Sequence, residues 1–153
     1  MFVADILEKR AFGRGEMMRR RDLKGRTIKF HSKKNDRVIV VSSELARAYC
    51  RYLEEDRSVM SYEPDYALDE YTIDTISHAE IRKDFYEKAW VTDFYIKKLG
   101  GVIAVRELVD PQKLSQLAEI EKMELSRRYW TAKGVTDWKL VFTDAWVKAR
   151  EED

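Results

Sequence analysis

The stretch that most restricts the fold is residues 91–108, which reads VTDFYIKKLGGVIAVREL. Apolar and polar residues alternate on both sides of the glycine pair, a pattern typical of two antiparallel strands joined by a tight turn. One acid, Asp93, lies near the start of the stretch and another, Glu107, near its end. The length of the loop between the strands decides whether these two acids share a face.

Two loop lengths are compatible with this turn. A loop of only the two glycines puts Asp93 on the same face as Arg106, and Glu107 then points away. A loop of three residues puts Asp93 directly opposite Glu107, and its last position requires the left-handed conformation that glycine adopts readily. We favour the three-residue loop because it leaves two acids facing one another, and an Asp93–Arg106 pair at the sheet edge is the alternative.

The remaining patterns predict a mixed helix and strand domain. Strands are expected at 26–32, 37–43, 58–63, 88–98, 102–109 and 137–142, and helices at 44–56, 111–133 and 144–150. We expect Pro64 to end the third strand. The helix at 111–133 is expected to pack through Leu114, Leu117, Ala118, Ile120 and Leu125. This order predicts an α/β (α+β) domain with a central mixed β-sheet flanked by helices.

Composition excludes several kinds of chemistry. A chain of 153 residues is long enough for one domain, and one Cys with two His cannot supply a normal zinc site. With only two histidines, a nucleophile–histidine hydrolase is not expected. No apolar run approaches the roughly 20 residues of a membrane span, and the start is too short and acidic for a signal peptide, so a cytoplasmic protein is expected. The remaining chemistry is that of carboxylates, which bind Mg²⁺ or Mn²⁺ and cleave phosphodiesters.

Charge is distributed unevenly along the chain. Residues 1–37 hold 12 Lys and Arg against 5 Asp and Glu, an excess of +7, although the whole chain has a net charge of +1. The densest part contains Arg19, Arg20, Arg21 and Lys24. We therefore divide the chain into a basic N-terminal arm, residues 1–26, which is expected to bind DNA phosphates, and a single domain, residues 27–153. A solvated tail is the alternative interpretation of the arm.

Four segments resemble a known family. They are SSELARAYCRYLEEDRSVMSYE, WVTDFYI, IAVREL and ELSRRYWTAKGVTDWKLVF. Together they look like the N-terminal catalytic domain of TnsA, the endonuclease subunit of certain bacterial transposases. The resemblance implies a restriction-endonuclease-like PD-(D/E)xK fold, cleavage of duplex DNA that depends on Mg²⁺ or Mn²⁺, and action beside a partner transposase or recombinase subunit.

The resemblance also implies a set of catalytic residues. Asp93 matches the strand aspartate of the family motif. Ala46 falls where the family has a helix glutamate, and Glu44 is two residues earlier. An acid in the first helical turn is also favoured by the helix dipole alone, so structure explains Glu44 as well as metal binding does.

The second half of the motif differs more. Ala104 and Arg106 fall where the family has Glu or Gln and then Lys, and Glu107 is the acid available to replace the missing carboxylate. Arg106 could stabilise a scissile phosphate but cannot act as a base. Lys113 or Lys122 could replace the motif lysine from the following helix.

Two functions follow from these residues. The favoured one is an endonuclease with a metal ion held by Glu44, Asp93 and Glu107, assisted by Arg106. The alternative is a catalytically degraded nuclease fold that acts as a DNA-binding or adaptor protein of a mobile element or phage. In either case Arg127 and Arg128 are candidate DNA contacts, with the adjacent aromatic residues in the core. The sequence specifies neither a DNA site nor an oligomeric state.

Overall fold

The structure is a computed structural model, and it describes residues 27–143. Its elements in chain order are β1 (Ile28–Ser32), β2 (Arg37–Val41), α1 (Glu44–Glu55), β3 (Val59–Ala67), α2 (Glu70–Thr75), α3 (Lys83–Tyr86), β4 (Val91–Lys98), β5 (Ile103–Val109), α4 (Leu117–Ala132) and β6 (Asp137–Phe142). The basic arm, with Arg19, Arg20, Arg21 and Lys24, and the helix predicted at 144–150 lie outside the described residues.

The sheet topology confirms the predicted α+β class. Four strands form a central mixed sheet in the order β3-β4-β5-β6, in which β3, β4 and β5 are antiparallel and β6 runs parallel to β5. Strands β1 and β2 form a separate antiparallel hairpin. The parallel pair requires a crossover, which α4 provides. Within residues 27–143, no helix has the length and apolar character needed to cross a lipid bilayer.

The core has two parts. One contains the hairpin β1–β2, the inner face of α1, and sheet residues that include Tyr62, Phe94 and Ile96. The other contains Val105, the buried face of α4 and the segment between β3 and β4. Helix α1 begins where the Ser43 side chain accepts a hydrogen bond from the Ala46 N–H, as an N-cap should. Cys50, the single cysteine of the chain, is fully buried in this core.

The hairpin β4–β5 adopts the three-residue loop. Tyr95 pairs with Val105 and Ile96 with Ala104, and the Lys98 N–H donates to the Val102 carbonyl at 2.8 Å. Gly101, the last loop residue, has φ of +79°, which is the left-handed conformation this loop requires. The alternative register, with Asp93 beside Arg106, is therefore wrong.

Strand β3 is longer than the sequence predicts. Pro64 does not end it, because Pro64 pairs with Phe94 and the strand continues to Ala67. Proline is tolerated here because β3 lies at the edge of the sheet, where no second neighbour needs the missing N–H. Beyond β3, where no helix was predicted before residue 88, the chain forms α2, which the Asp69 side chain caps.

Helix α4 also differs from the prediction. Asp110 and Pro111 begin a short 3₁₀ turn, and α4 begins only at Leu117. Leu117 and Ile120 are 64% and 47% exposed, so the predicted packing face is wrong for both, and of the predicted set Leu125 is fully buried. The buried side chains of α4 are Glu121, Leu125, Ser126, Tyr129 and Trp130.

Candidate functional site

The two acids of the hairpin meet where the regular ladder between β4 and β5 ends. The last ladder pair is Phe94 and Arg106, so Asp93 and Glu107 are the next residues in this register. The Asp93 N–H donates to Glu107 Oε1 at 2.9 Å, and the Leu108 N–H donates to Asp93 Oδ2 at 2.7 Å. Each carboxylate thus accepts a backbone N–H of the opposite strand and takes the place of a ladder carbonyl.

Glu107 belongs to a buried polar network that was not predicted. Its side chain is 2% exposed, and its Oε2 accepts hydrogen bonds from the hydroxyl groups of Thr92 and, at 2.6 Å, Ser126. The indole N–H of Trp130 donates to Thr92 Oγ1 at 3.1 Å, and that of Trp138 donates to Ser126 Oγ at 2.9 Å. Both oxygens of Glu107 therefore already have protein donors.

The charge state of Glu107 follows from this environment. Burial raises the pKa of Glu107, and the neighbouring charge of Asp93 raises it further, to about 8, against the opposing effect of the hydrogen bonds. The folded chain therefore favours the neutral form of Glu107 more than water does. Because a metal-binding carboxylate must be deprotonated, the geometry and the pKa both disfavour Glu107 as a ligand.

Asp93 faces the other way, into an open cavity of about 330 Å³. The charged residues lining this cavity are Asp65, Asp93, Asp110, Lys113 and Glu119, and the start of α1 contributes Ser43 and Ala46. Glu107 does not line it. The two acids therefore meet through hydrogen bonds, but they do not face one space.

Asp65 was not among the predicted site residues, because it lies beyond Pro64, where no helix or strand was expected before residue 88. It lies in β3 between the Pro64–Phe94 and Tyr66–Thr92 pairs, which places it opposite Asp93. Its φ of +50° is unusual for a residue with a side chain and is best tolerated by Asp and Asn. Lys113, considered earlier as a replacement lysine, lines the same cavity.

The positions aligned with the rest of the family motif are structural. Ala104 is fully buried in the core. Arg106 points away from Asp93 and forms an ion pair with Asp137, with Nη2 3.0 Å from Oδ1. Its Nη1 also donates to the backbone carbonyls of Val105 and Asp137, both at 2.9 Å. Burial alone would raise the pKa of Asp137, but the charges of Arg106 and then Lys98 outweigh it and lower that pKa.

The three predicted metal ligands are not arranged around one shared metal ion. Glu44 is a half-exposed residue at the start of α1, where its Oε1 lies 2.5 Å from Arg47 Nη2. Asp93 lines the cavity, whereas Glu107 is buried behind it. Among residues 27–143, no group of three or more His, Cys, Asp or Glu side chains is arranged to hold a metal ion.

The predicted DNA contacts on α4 are engaged within the protein. Arg127 and Arg128 both bind Glu124, at 2.7 Å and 2.8 Å. These hydrogen bonds, that of Arg127 first, hold the pKa of Glu124 at about 2. Arg128 also donates to the carbonyls of Ser77 and Ala79, so it fixes that loop, while Arg127 is the more exposed of the two. Tyr129 and Trp130 are buried, as predicted.

Comparison with models of known protein families gave no match to this chain, and comparison with curated proteins gave no significant match.

Proposed function

We propose that this chain is a DNA-binding protein built on a restriction-endonuclease-like fold that does not cleave DNA. The observation that carries the proposal is the state of three neighbouring residues of β5. Ala104 supplies no ligand, Arg106 is ion-paired with Asp137, and Glu107 is buried with both oxygens hydrogen-bonded. Of the residues aligned with the family's catalytic motif, Asp93 alone keeps a carboxylate in the cavity.

The residues that replaced the motif stabilise the sheet. The guanidinium of Arg106 remains charged at any pH a protein survives, so it cannot serve as the proton acceptor that a lysine provides. Its ion pair holds the first residue of β6 beside β5, because Asp137 begins β6 and pairs with Ala104 in the parallel ladder. These contacts give Arg106 a structural role in place of a catalytic one. An adaptor role beside a transposase or recombinase subunit of a mobile element is the part of the proposal that follows from the resemblance.

The basic arm supports DNA as the partner. Its excess of Lys and Arg is the composition expected of a segment that neutralises backbone phosphates. Such contacts release counterions, so they make affinity depend on salt without giving sequence specificity. The proposal therefore predicts binding to duplex DNA of any sequence, in the absence of divalent cations.

Replacing Arg19, Arg20 and Arg21 together with alanine is expected to weaken duplex DNA binding. The slope of log K against log salt concentration is negative, and each lost phosphate contact makes it less steep by about 0.9. The slope of the triple variant should therefore be less steep by up to about 3. Fluorescence anisotropy with a labelled duplex in EDTA, at several salt concentrations, measures both quantities.

The matched control replaces Arg127 with alanine, because that arginine is exposed but pairs with Glu124. Its salt slope should stay close to that of the unmodified chain. The assignment of DNA binding to the arm would be contradicted by an unchanged salt slope in the triple variant. It would also be contradicted if Arg127→Ala lost more affinity for duplex DNA than the triple variant.

An endonuclease remains the second candidate, favoured by one observation. Asp93 shares its cavity with Asp65, Asp110, Glu119 and Lys113, so carboxylates and one lysine border the same space although the motif has changed. On this alternative a Mg²⁺ ion would be recruited only with substrate phosphate, as is common for this cation. Assays of DNA cleavage separate the two candidates.

A further inference from the structure

A second cavity, of about 470 Å³, lies beside α2 and α3. None of the residues that line it lines the Asp93 cavity. Leu68 and Ile73 contribute buried apolar surface to it, and Trp90 lies where the chain enters β4. Its volume falls within the range typical of small-molecule sites, about 300–1,000 Å³.

Aromatic rings line this second cavity and are held in place. The rings of Tyr86 and His78 stack with centroids 3.9 Å apart, and His78 Nε2 donates to the Ile73 carbonyl at 2.7 Å. Tyr86 and Trp90 both pack against the core cluster that contains Leu68 and Ile73. Aromatic and apolar side chains packed on the core therefore form one part of the cavity lining.

The charges around the cavity are mostly negative. Three acids line it, Glu70, Asp74 and Glu87, against a single lysine, Lys88. Glu87 also lies 3.6 Å from Lys83, but both side chains are well exposed, so water screens that pair. Carboxylates beside aromatic faces exclude an anionic ligand and favour a cation.

We propose that this cavity binds a guanidinium group. A guanidinium is planar and weakly hydrated, so it stacks on aromatic faces, while its fixed N–H donors bind carboxylates in pairs. A primary ammonium ion is more strongly hydrated and lacks the planar face. The chemistry is that of an arginine side chain of a polypeptide or of a small free guanidino compound.

The test is a titration of the full chain with agmatine, followed by NMR of the Trp90 indole N–H, which a Trp90→Phe variant assigns. We expect saturable shifts of this resonance, and about fivefold weaker binding in Asp74→Asn and in Tyr86→Leu, from loss of one charge-assisted contact or one aromatic face. Asp84→Asn, on α3 but outside the cavity lining, should bind as the unmodified chain does.

A blocked tripeptide with a central arginine distinguishes the two sources. Tighter binding of the tripeptide than of agmatine identifies a polypeptide ligand, and the reverse identifies a small guanidino compound. The proposal is overturned if neither compound shifts the Trp90 resonance, if butane-1,4-diamine, which has an ammonium in place of the guanidinium of agmatine, binds as tightly as agmatine, or if Asp84→Asn weakens binding as much as Asp74→Asn.

Discussion

Replacing Leu125 with alanine is expected to lower the free energy of unfolding by about 2–5 kcal/mol. Leu125 is fully buried in the core cluster where α4 packs on the sheet beside Val105 and Tyr129. Truncating it removes apolar contacts and leaves a cavity, because the surrounding rings cannot collapse fully into the space. Urea unfolding followed by circular dichroism gives the free energy of unfolding directly.

Leu117 in the same helix provides a matched control. It is 64% exposed, so Leu117→Ala makes the same chemical change in water and should alter stability by no more than about 0.5 kcal/mol. The assignment of the buried face of α4 is contradicted if the two variants lose similar free energy, or if Leu117→Ala loses more.

Replacing Glu107 with glutamine is expected to remove a large part of the pH dependence of stability. The pKa of this buried carboxyl is about 8 in the folded chain and near 4.5 when unfolded. Between these values the folded chain binds one more proton than the unfolded chain, so stability falls as pH rises from about 4.5 to about 8. Below this window the Glu107 carboxyl is protonated in both the folded and the unfolded chain, and above it the carboxyl is ionised in both.

In this window, titration of Glu107 should lower the free energy of unfolding by no more than about 1.4 kcal/mol per pH unit. In Glu107→Gln the side-chain amide keeps the carbonyl acceptor for the Asp93 N–H and offers N–H donors to the two hydroxyl oxygens beside it. The variant is therefore expected to fold and to gain stability relative to the unmodified chain as pH rises.

Urea unfolding at pH 5, 6, 7 and 8 measures this difference. The control is Glu63→Gln, which changes an exposed glutamate of β3 and should keep the slope of the unmodified chain. Equal slopes for the unmodified chain and Glu107→Gln would mean that Glu107 is ionised in the folded state, and the description of the buried network would then be wrong.

The pairing of β4 with β5 could be predicted from the sequence, because its causes are local. Alternation of apolar residues on both sides of Gly100 and Gly101 predicts the hairpin, and the left-handed Gly101 supports the three-residue loop that the structure has. The cap at Ser43 and the left-handed Gly134 at the end of α4 follow from residue type in the same way.

The buried face of α4 was predicted only in part, because two polar residues, Glu121 and Ser126, lie on it beside Leu125, Tyr129 and Trp130. Glu121 is buried through its contacts with Arg82, a residue 39 positions away, and Ser126 through Glu107 and Trp138. An apolar pattern counts such residues as exposed, so it selects Leu117 and other exposed residues instead. Only the tertiary partners make these polar side chains compatible with burial.

The candidate site was predicted in part for the same reason. Register alone brings Asp93 opposite Glu107, but it does not say that Ser126 and Thr92 bind one oxygen of Glu107 and turn it into the core. Asp65 reaches the cavity from a strand that was expected to end at Pro64. The sequence thus identifies the pair of acids, while their different surroundings depend on packing across the sheet.

The most direct test of the non-cleaving function is a nicking assay on supercoiled plasmid in Mg²⁺ and in Mn²⁺, comparing the unmodified chain with Asp93→Asn. We expect both proteins to bind DNA, and we expect the unmodified chain to nick the plasmid no more than Asp93→Asn does. Nicking that requires either cation and is lost in Asp93→Asn would contradict it and establish the cavity around Asp93 as a cleavage site.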